Sequence, residues 1–110
     1  MHVLYTDSAQ KSEGFAVLKR HTELLPEVVG SAASRVQVEW DRTRDQRRGD
    51  RYRLHIADRT DEAQSEFALE ELENPLFMHF RLHHLWGDIL QARSHKQLQA
   101  LLNSNGSAGT

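Results

Sequence analysis

The 110-residue chain contains no cysteine, and this absence removes several classes of function at once. Disulfides, thiolate zinc sites, iron-sulfur clusters and cysteine nucleophiles all need the missing thiol. Any site must therefore use oxygen and imidazole groups. No apolar run approaches the roughly 18 residues of a membrane span. The first ten residues, MHVLYTDSAQ, also lack the cationic start and apolar run of a signal peptide. We therefore expect a cytoplasmic protein with no membrane partner.

No internal repeat and no linker divides the sequence. A chain of this length is expected to form one domain with its own hydrophobic core. The small and polar residues at the end, NSNGSAGT, are typical of a frayed terminus. The sequence therefore predicts a single domain over 1–102 and a flexible tail over 103–110.

The first half of the chain predicts a short strand followed by a helix. His2 to Tyr5 form a brief apolar run that suits a strand. From about Ser12 the apolar residues recur at helical spacing on one face, on which His21 also falls. Proline in a helix interior removes a hydrogen bond and clashes with the preceding turn, so Pro26 is expected to kink or end this helix.

Three strands should follow, because apolar and polar residues alternate in three successive stretches. The alternating stretches are 35–40, 51–56 and 63–69. The first two are separated by DRTRDQRRGD, predicted as a long hairpin loop, and the last two by the tight DRTD. An antiparallel meander is the natural assembly, and the short turn would set Arg53 opposite Glu66.

The last helix should begin at Asn74-Pro75. Asparagine caps the free amides of the first turn, and proline suits the first helical position because an amide hydrogen there would have no partner in the helix. Its predicted buried residues include Leu90. Ser94 and Gln97 have capping-box spacing, so the helix is expected to break there and restart. The element order is then β-α-β-β-β-α. This predicts an α+β fold of two layers, an antiparallel-rich sheet with two helices on one face.

Charge is polarised along the chain. The formal net charge is -2, yet residues 35–59 hold eight arginines against five acids, and residues 61–73 hold six acids and no base. Arginine's planar fork suits phosphate and carboxylate alike. Two interpretations stay open for Arg42, Arg44, Arg47 and Arg48 in the predicted loop: contact with nucleic-acid phosphates, or pairing with nearby aspartates.

Three histidines crowd into the segment FMHFRLHHLWGD at 77–88. His79 and His83 have the i, i+4 spacing that can share a metal ion, but a third ligand must come from elsewhere. The simpler interpretation is that they cover the margin of a core. His84 with Asp88 suits a solvated helix contact, and His21 suits a hydrogen-bonded core position. No phosphate loop, nucleophile elbow or convincing carboxylate pair is present, so the sequence predicts a non-enzymatic protein without a cofactor.

Four stretches resemble a known family. MHVLY, the helix KSEGFAVLKRHTELL, SRVQVEWDR at 34–42 and GDRYRLHIAD at 49–58 together are similar to the ribosome hibernation promoting factor and ribosome-associated inhibitor A family. The resemblance covers about half of the chain, and a net acidic charge departs from the family's basic character. It implies a fold like that of double-stranded-RNA-binding domains. It also implies binding to small-ribosomal-subunit RNA, with inhibition of translation under stress.

Carried over position by position, the resemblance implies RNA contacts by Lys19, Arg20, Arg42, Arg93 and Lys96. The charge pattern, and not the family, adds Arg44, Arg47 and Arg48. No DNA partner is expected. The alternative of another class is a non-enzymatic module for protein interaction or homodimerisation that uses the outer face of the sheet or the aromatic-rich last helix. A metal-binding protein with His79 and His83 as ligands is a third, weaker hypothesis.

Overall fold

The computed structural model describes residues 1–108, and the side chains of residues 1–103. In chain order the elements are β1 (His2–Tyr5), α1 (Asp7–Gln10), α2 (Phe15–Val29), a 3-10 turn (Gly30–Ser34), β2 (Gln37–Asp45), β3 (Gly49–Asp58), β4 (Asp61–Phe67), α3 (Leu69–Leu72) and α4 (Pro75–Ala108). The expected α+β class is confirmed. The short helices α1 and α3 were not predicted.

The four strands form one mixed sheet in the order β1-β2-β3-β4. β1 runs parallel to β2, and the other two pairs are antiparallel. The parallel pair requires a crossover, which α1 and α2 supply. The tight turn between β3 and β4 sets Arg53 opposite Glu66, and this predicted register is confirmed.

Alternation along the strands places one face of the sheet against the helices. Trp40, Tyr52, Leu54 and Ile56 are fully or almost fully buried on this face, together with Phe67 of β4. The apolar faces of α2 and α4 complete the same core; their buried residues include Val17, Leu18, Leu25, Met78, Leu82, Leu85 and Ile89. The other face of the sheet carries charged and polar side chains from the alternate positions, since side chains in a strand point to opposite faces in turn.

Helix α4 is more continuous than the sequence predicted, and α2 does not end at Pro26. Pro26 lies inside α2, which ends only at Val29, before Gly30 adopts a positive φ of 60°. Burial of Leu25 and Val29 offsets the hydrogen bond that proline cannot make. The predicted break at Ser94 is also wrong, because α4 runs on through it without interruption.

The start of α4 is as predicted, since the Asn74 side chain accepts a hydrogen bond from the Phe77 amide at 3.1 Å. Leu90, predicted to be buried, is 44% exposed. The tail predicted for 103–110 overlaps the end of α4, whose backbone is helical as far as Ala108, and residues 109 and 110 lie outside the described residues. Within residues 1–108, no helix has both the length and the apolar character that crossing a membrane requires.

Candidate nucleic-acid interface

The end of the β2–β3 hairpin, residues 42–51, is here called the hairpin tip. Strand pairing continues as far as Asp45 opposite Gly49, so only residues 46–48 form the connecting turn. The predicted loop was therefore too long, and Arg42 and Arg44 lie on β2. Gly49 has a φ of 77°, which an L residue adopts only at a cost, and this glycine closes the three-residue turn.

Asp45 organises the turn of the hairpin tip. Its carboxylate accepts hydrogen bonds from the Arg47 amide at 2.8 Å and the Arg48 amide at 3.3 Å. The Arg48 guanidinium adds an ion pair at 3.1 Å. The backbone hydrogen bond from Arg47, and then the contact with Arg48, hold the pKa of Asp45 below its usual range. Asp45 is therefore ionised and holds the turn in one conformation.

Asp50 pairs with the two arginines on the neighbouring strand. Its oxygens lie 3.5 Å from Nη1 of Arg42 and 3.2 Å from Nε of Arg44. Arg42 also donates to the Ser8 hydroxyl at 3.1 Å, which joins the hairpin tip to α1. The sequence left open whether these arginines pair with nearby aspartates. Three of the four, Arg42, Arg44 and Arg48, do so. Arg47 has no ion pair among the described side chains.

These ion pairs leave cationic groups accessible. The side chains of Arg44 and Arg48 are 75% and 64% exposed, and the whole of Arg47 is exposed. Exposed ion pairs are weak, because water and salt screen them. Residues 42–51 also hold five arginines against two aspartates, a net charge of +3, in a chain of net charge -2. Two of these arginines are mostly covered, since the side chains of Arg42 and Arg51 are 20% and 19% exposed. The exposed cations of the hairpin tip are therefore Arg44, Arg47 and Arg48, and the two that are paired can exchange a carboxylate for another anion.

Lys19 and Arg20 lie near the beginning of α2, and both are exposed. Gly14, immediately before this helix, donates its amide hydrogen to the Tyr52 hydroxyl at 3.2 Å, and Tyr52 pairs with Arg42 across the sheet. The first turns of α2 are thus at the same end of the sheet as the hairpin tip.

Arg93 and Lys96, the remaining predicted contacts, bind two buried aspartates at the turn between β3 and β4. Arg93 donates to Asp58 at 2.9 Å and to Asp61 at 3.1 Å, and Lys96 donates to Asp61 at 2.6 Å. Asp58 is also held by Arg35 at 2.7 Å. The side chain of Asp58 is fully buried and that of Asp61 is 5% exposed. If Arg93 or Lys96 moved away to contact RNA, a buried carboxylate would lose part of the positive charge that balances it. This would reduce the stability of the fold.

Asp58 and Asp61, with the cations that bind them, are here called the aspartate cluster. The pKa shifts of the two carboxyl groups agree with these contacts. Burial by itself raises the pKa of Asp58, but hydrogen bonds from Arg35 and Arg93 outweigh burial, so the pKa is lowered. The hydrogen bond from Lys96 is the main cause that lowers the pKa of Asp61. Both aspartates are therefore anions that hold their cations in place. Sequence reasoning missed this role, although both residues belong to the DRTD turn.

The predicted RNA contacts therefore fall into two groups at opposite ends of the sheet. β3 begins at the hairpin tip with Gly49 and ends at Asp58 in the aspartate cluster. Nine residue steps along a strand span about 30 Å. Lys19, Arg20, Arg42, Arg44, Arg47 and Arg48 lie towards one end, and Arg93 and Lys96 at the other. A contact of Arg93 or Lys96 with RNA stays a prediction of the family resemblance.

The histidines are not part of any group of three or more possible metal ligands among the described side chains. The rings of His79 and His83 lie 4.5 Å apart, but no third histidine, aspartate or glutamate of this region completes a set of ligands. Both residues are exposed, so neither covers the core as expected. His84 and Asp88 are 3.9 Å apart on the surface. The prediction for His21 is confirmed: it is buried and contacts the Leu72 carbonyl through Nε2 at 2.7 Å.

Comparison of this chain with protein-family models, with curated proteins and with solved structures finds no match.

Proposed function

We propose that this chain is a non-enzymatic RNA-binding protein whose hairpin tip contacts RNA phosphates. The observation that carries the proposal is the exposure of Arg44, Arg47 and Arg48 in the hairpin tip, whose residues 42–51 have a net charge of +3. Arginine binds phosphate through two parallel hydrogen bonds, and cations that replace counterions on RNA gain free energy. The ion pairs of Arg44 and Arg48 are exposed and therefore weak, so a phosphate can replace their carboxylates at little cost.

Ribosomal RNA of the small subunit is the proposed target. The support is the resemblance to ribosome hibernation factors together with the order of the long elements, β-α-β-β-β-α, in which SRVQVEW and GDRYRLHI become neighbouring strands. A fold like that of double-stranded-RNA-binding domains belongs to the same proposal. Such domains recognise the shape of an RNA helix through phosphate and sugar contacts and do not need a particular base sequence.

Sedimentation tests the ribosomal target. Tagged protein is mixed with ribosomes and run on sucrose gradients at low and at moderate salt, and it should move with the small subunit at low salt. Fluorescence anisotropy with a labelled double-stranded RNA tests RNA binding separately. Protein that stays at the top of both gradients and does not bind the RNA would refute the whole proposal. Binding to the RNA without cosedimentation would refute only the ribosomal target.

Arg47 and Arg59 offer a matched pair of variants. Both are exposed, both lie in hairpin turns, and neither has an ion pair among the described side chains, but they are at opposite ends of β3. Arg47→Ala should weaken RNA binding and reduce the slope of log affinity against log salt concentration by roughly one, because one phosphate contact is lost. Arg59→Ala should leave both quantities unchanged. Equal effects of the two substitutions would argue against a role specific to the hairpin tip.

A further inference from the structure

Helix α4 has a second apolar face that the core does not cover. Met78, Leu82 and Ile89 point into the core. Six other large apolar side chains are between 44% and 67% exposed: Leu76, Phe80, Leu90, Leu98, Leu101 and Leu102. Successive residues of a helix are about 100° apart, so these six lie within about a third of the circumference. That third is nearly opposite the buried face.

The spacing along this face is that of a helix-pairing seam. Steps of four and three residues connect Leu76, Phe80, His83, Gly87, Leu90, Ser94, Gln97 and Leu101. A seam with this repeat stays on one side of a helix and packs against another such helix. All eight residues are exposed. Over its length of about 38 Å the seam therefore has no partner within the described chain.

Gly87 gives the seam a preferred direction of pairing. Apart from the adjoining residues and backbone of its own helix, a Cβ atom built on Gly87 would meet no atom within 4 Å, so the glycine leaves an open notch beside Leu90. Two parallel copies in register would set one notch against the other and leave a void. Two antiparallel copies centred between Gly87 and Leu90 would set each leucine into the notch of the other copy. The same register sets Leu76 against Leu101 and the polar His83 against Ser94.

We propose that two copies of this chain associate through this face of α4 as an antiparallel helix pair. A side chain of this size buries on the order of 100 Å² of apolar surface, so the six exposed residues offer about 350 Å² per copy. Since about 60% of a protein interface is apolar, the total would be about 1,200 Å² for the pair. This area is at the lower limit for specific complexes and suits a dimer that dissociates on dilution. The hairpin tip takes no part in the pairing. The test of the dimer is therefore independent of the test of RNA binding, and either proposal can fail without the other.

The oligomeric state of the full chain over a range of concentrations is the first test. Size-exclusion chromatography with light scattering should show the mass of one chain when dilute and of two when concentrated. Leu101→Glu should weaken the association on the order of tenfold or more, because it places a charge in the seam. Gln99→Glu adds the same charge about 160° around the helix and should have no effect. A single-chain mass at every concentration, or equal effects of the two variants, would overturn the proposal.

Cross-linking tests the antiparallel register, and the absence of native cysteine removes any background. In the double variant Leu76→Cys/Leu101→Cys, the two thiols of one chain lie about 38 Å apart along α4 and cannot join each other. Mild oxidation should therefore yield a covalent dimer of the double variant and none of either single variant. A covalent dimer of the Leu76→Cys single variant would show parallel pairing and overturn the register. Circular dichroism of each variant confirms that the helix is intact.

Discussion

Replacing Asp58 by asparagine should lower the free energy of unfolding by about 2–3 kcal/mol. The carboxylate is fully buried and accepts three hydrogen bonds from two arginines, at 2.7, 2.9 and 3.1 Å. Hydrogen bonds to a charged group contribute about 1.5–3 kcal/mol each, and asparagine retains the shape and one of the two oxygen acceptors. Removing one partner of a buried ion pair costs about 3–5 kcal/mol. The arginine side chains at Asp58 are partly exposed, so water solvates them in the variant and the loss stays below that range.

Urea denaturation at neutral pH measures this loss. Asp88→Asn is the matched control, because Asp88 makes only a surface contact with His84 at 3.9 Å. The control should change the free energy of unfolding by less than about 0.5 kcal/mol. Equal losses for the two variants would refute the inference that the aspartate cluster stabilises the fold.

The loss should also depend on pH in a defined direction. The pKa of Asp58 is lower in the folded protein than in the unfolded chain, because the two arginine hydrogen bonds outweigh burial. A group of this kind stabilises the fold fully above its unfolded pKa of about 3.9, and the stabilisation disappears as the pH falls through the folded value. The difference between wild type and Asp58→Asn should therefore shrink below about pH 4. A difference that is constant from neutral to acid pH would mean that the charge of Asp58 is not its source.

Two further substitutions test details of the turns. Gly14→Ala should destabilise the protein by about 1–3 kcal/mol in urea denaturation, because the added Cβ would lie 2.8 Å from the Tyr52 ring; an unchanged midpoint would show that the ring moves freely. Arg59→Gly should raise the midpoint of thermal unfolding and add about 0.5–1 kcal/mol, because Arg59 holds a φ of 59° at a position that suits glycine; a lower midpoint would contradict the strain.

Local sequence patterns predicted the elements that depend on local chemistry. The alternation in 51–56 and the tight turn after it were sufficient for the register of β3 and β4, because a two-residue turn permits few alignments. The start of α4 was also predictable, since the Asn74 cap and Pro75 act within one turn of the helix. His21 could be assigned to the core because its neighbours on the helical face are apolar.

The length of the elements was less predictable. Ser94 suggested a helix end and Pro26 a kink or an end, but neither residue ends its helix, because the packing of a whole helix face outweighs a local preference. The length of the strands at the hairpin tip was also not predictable. Residues 41–45 are polar or charged and were predicted as loop, but they pair as a strand as far as Asp45. Backbone hydrogen bonds between strands do not require apolar side chains, so the pattern of hydrophobic residues could not show where pairing ends.

The sequence by itself determined the α+β class, the order of the strands and the two long helices, and the presence of more arginines than acids in the middle of the chain. Only the tertiary structure decided which arginines are available. Lys96 and Asp61 are 35 positions apart in the chain but 2.6 Å apart in space. Arg44, Arg47 and Arg48 of the hairpin tip are exposed, whereas Arg93 and Lys96 form ion pairs with buried aspartates. The strength of an ion pair depends on distance and burial, and neither quantity can be determined from local periodicity.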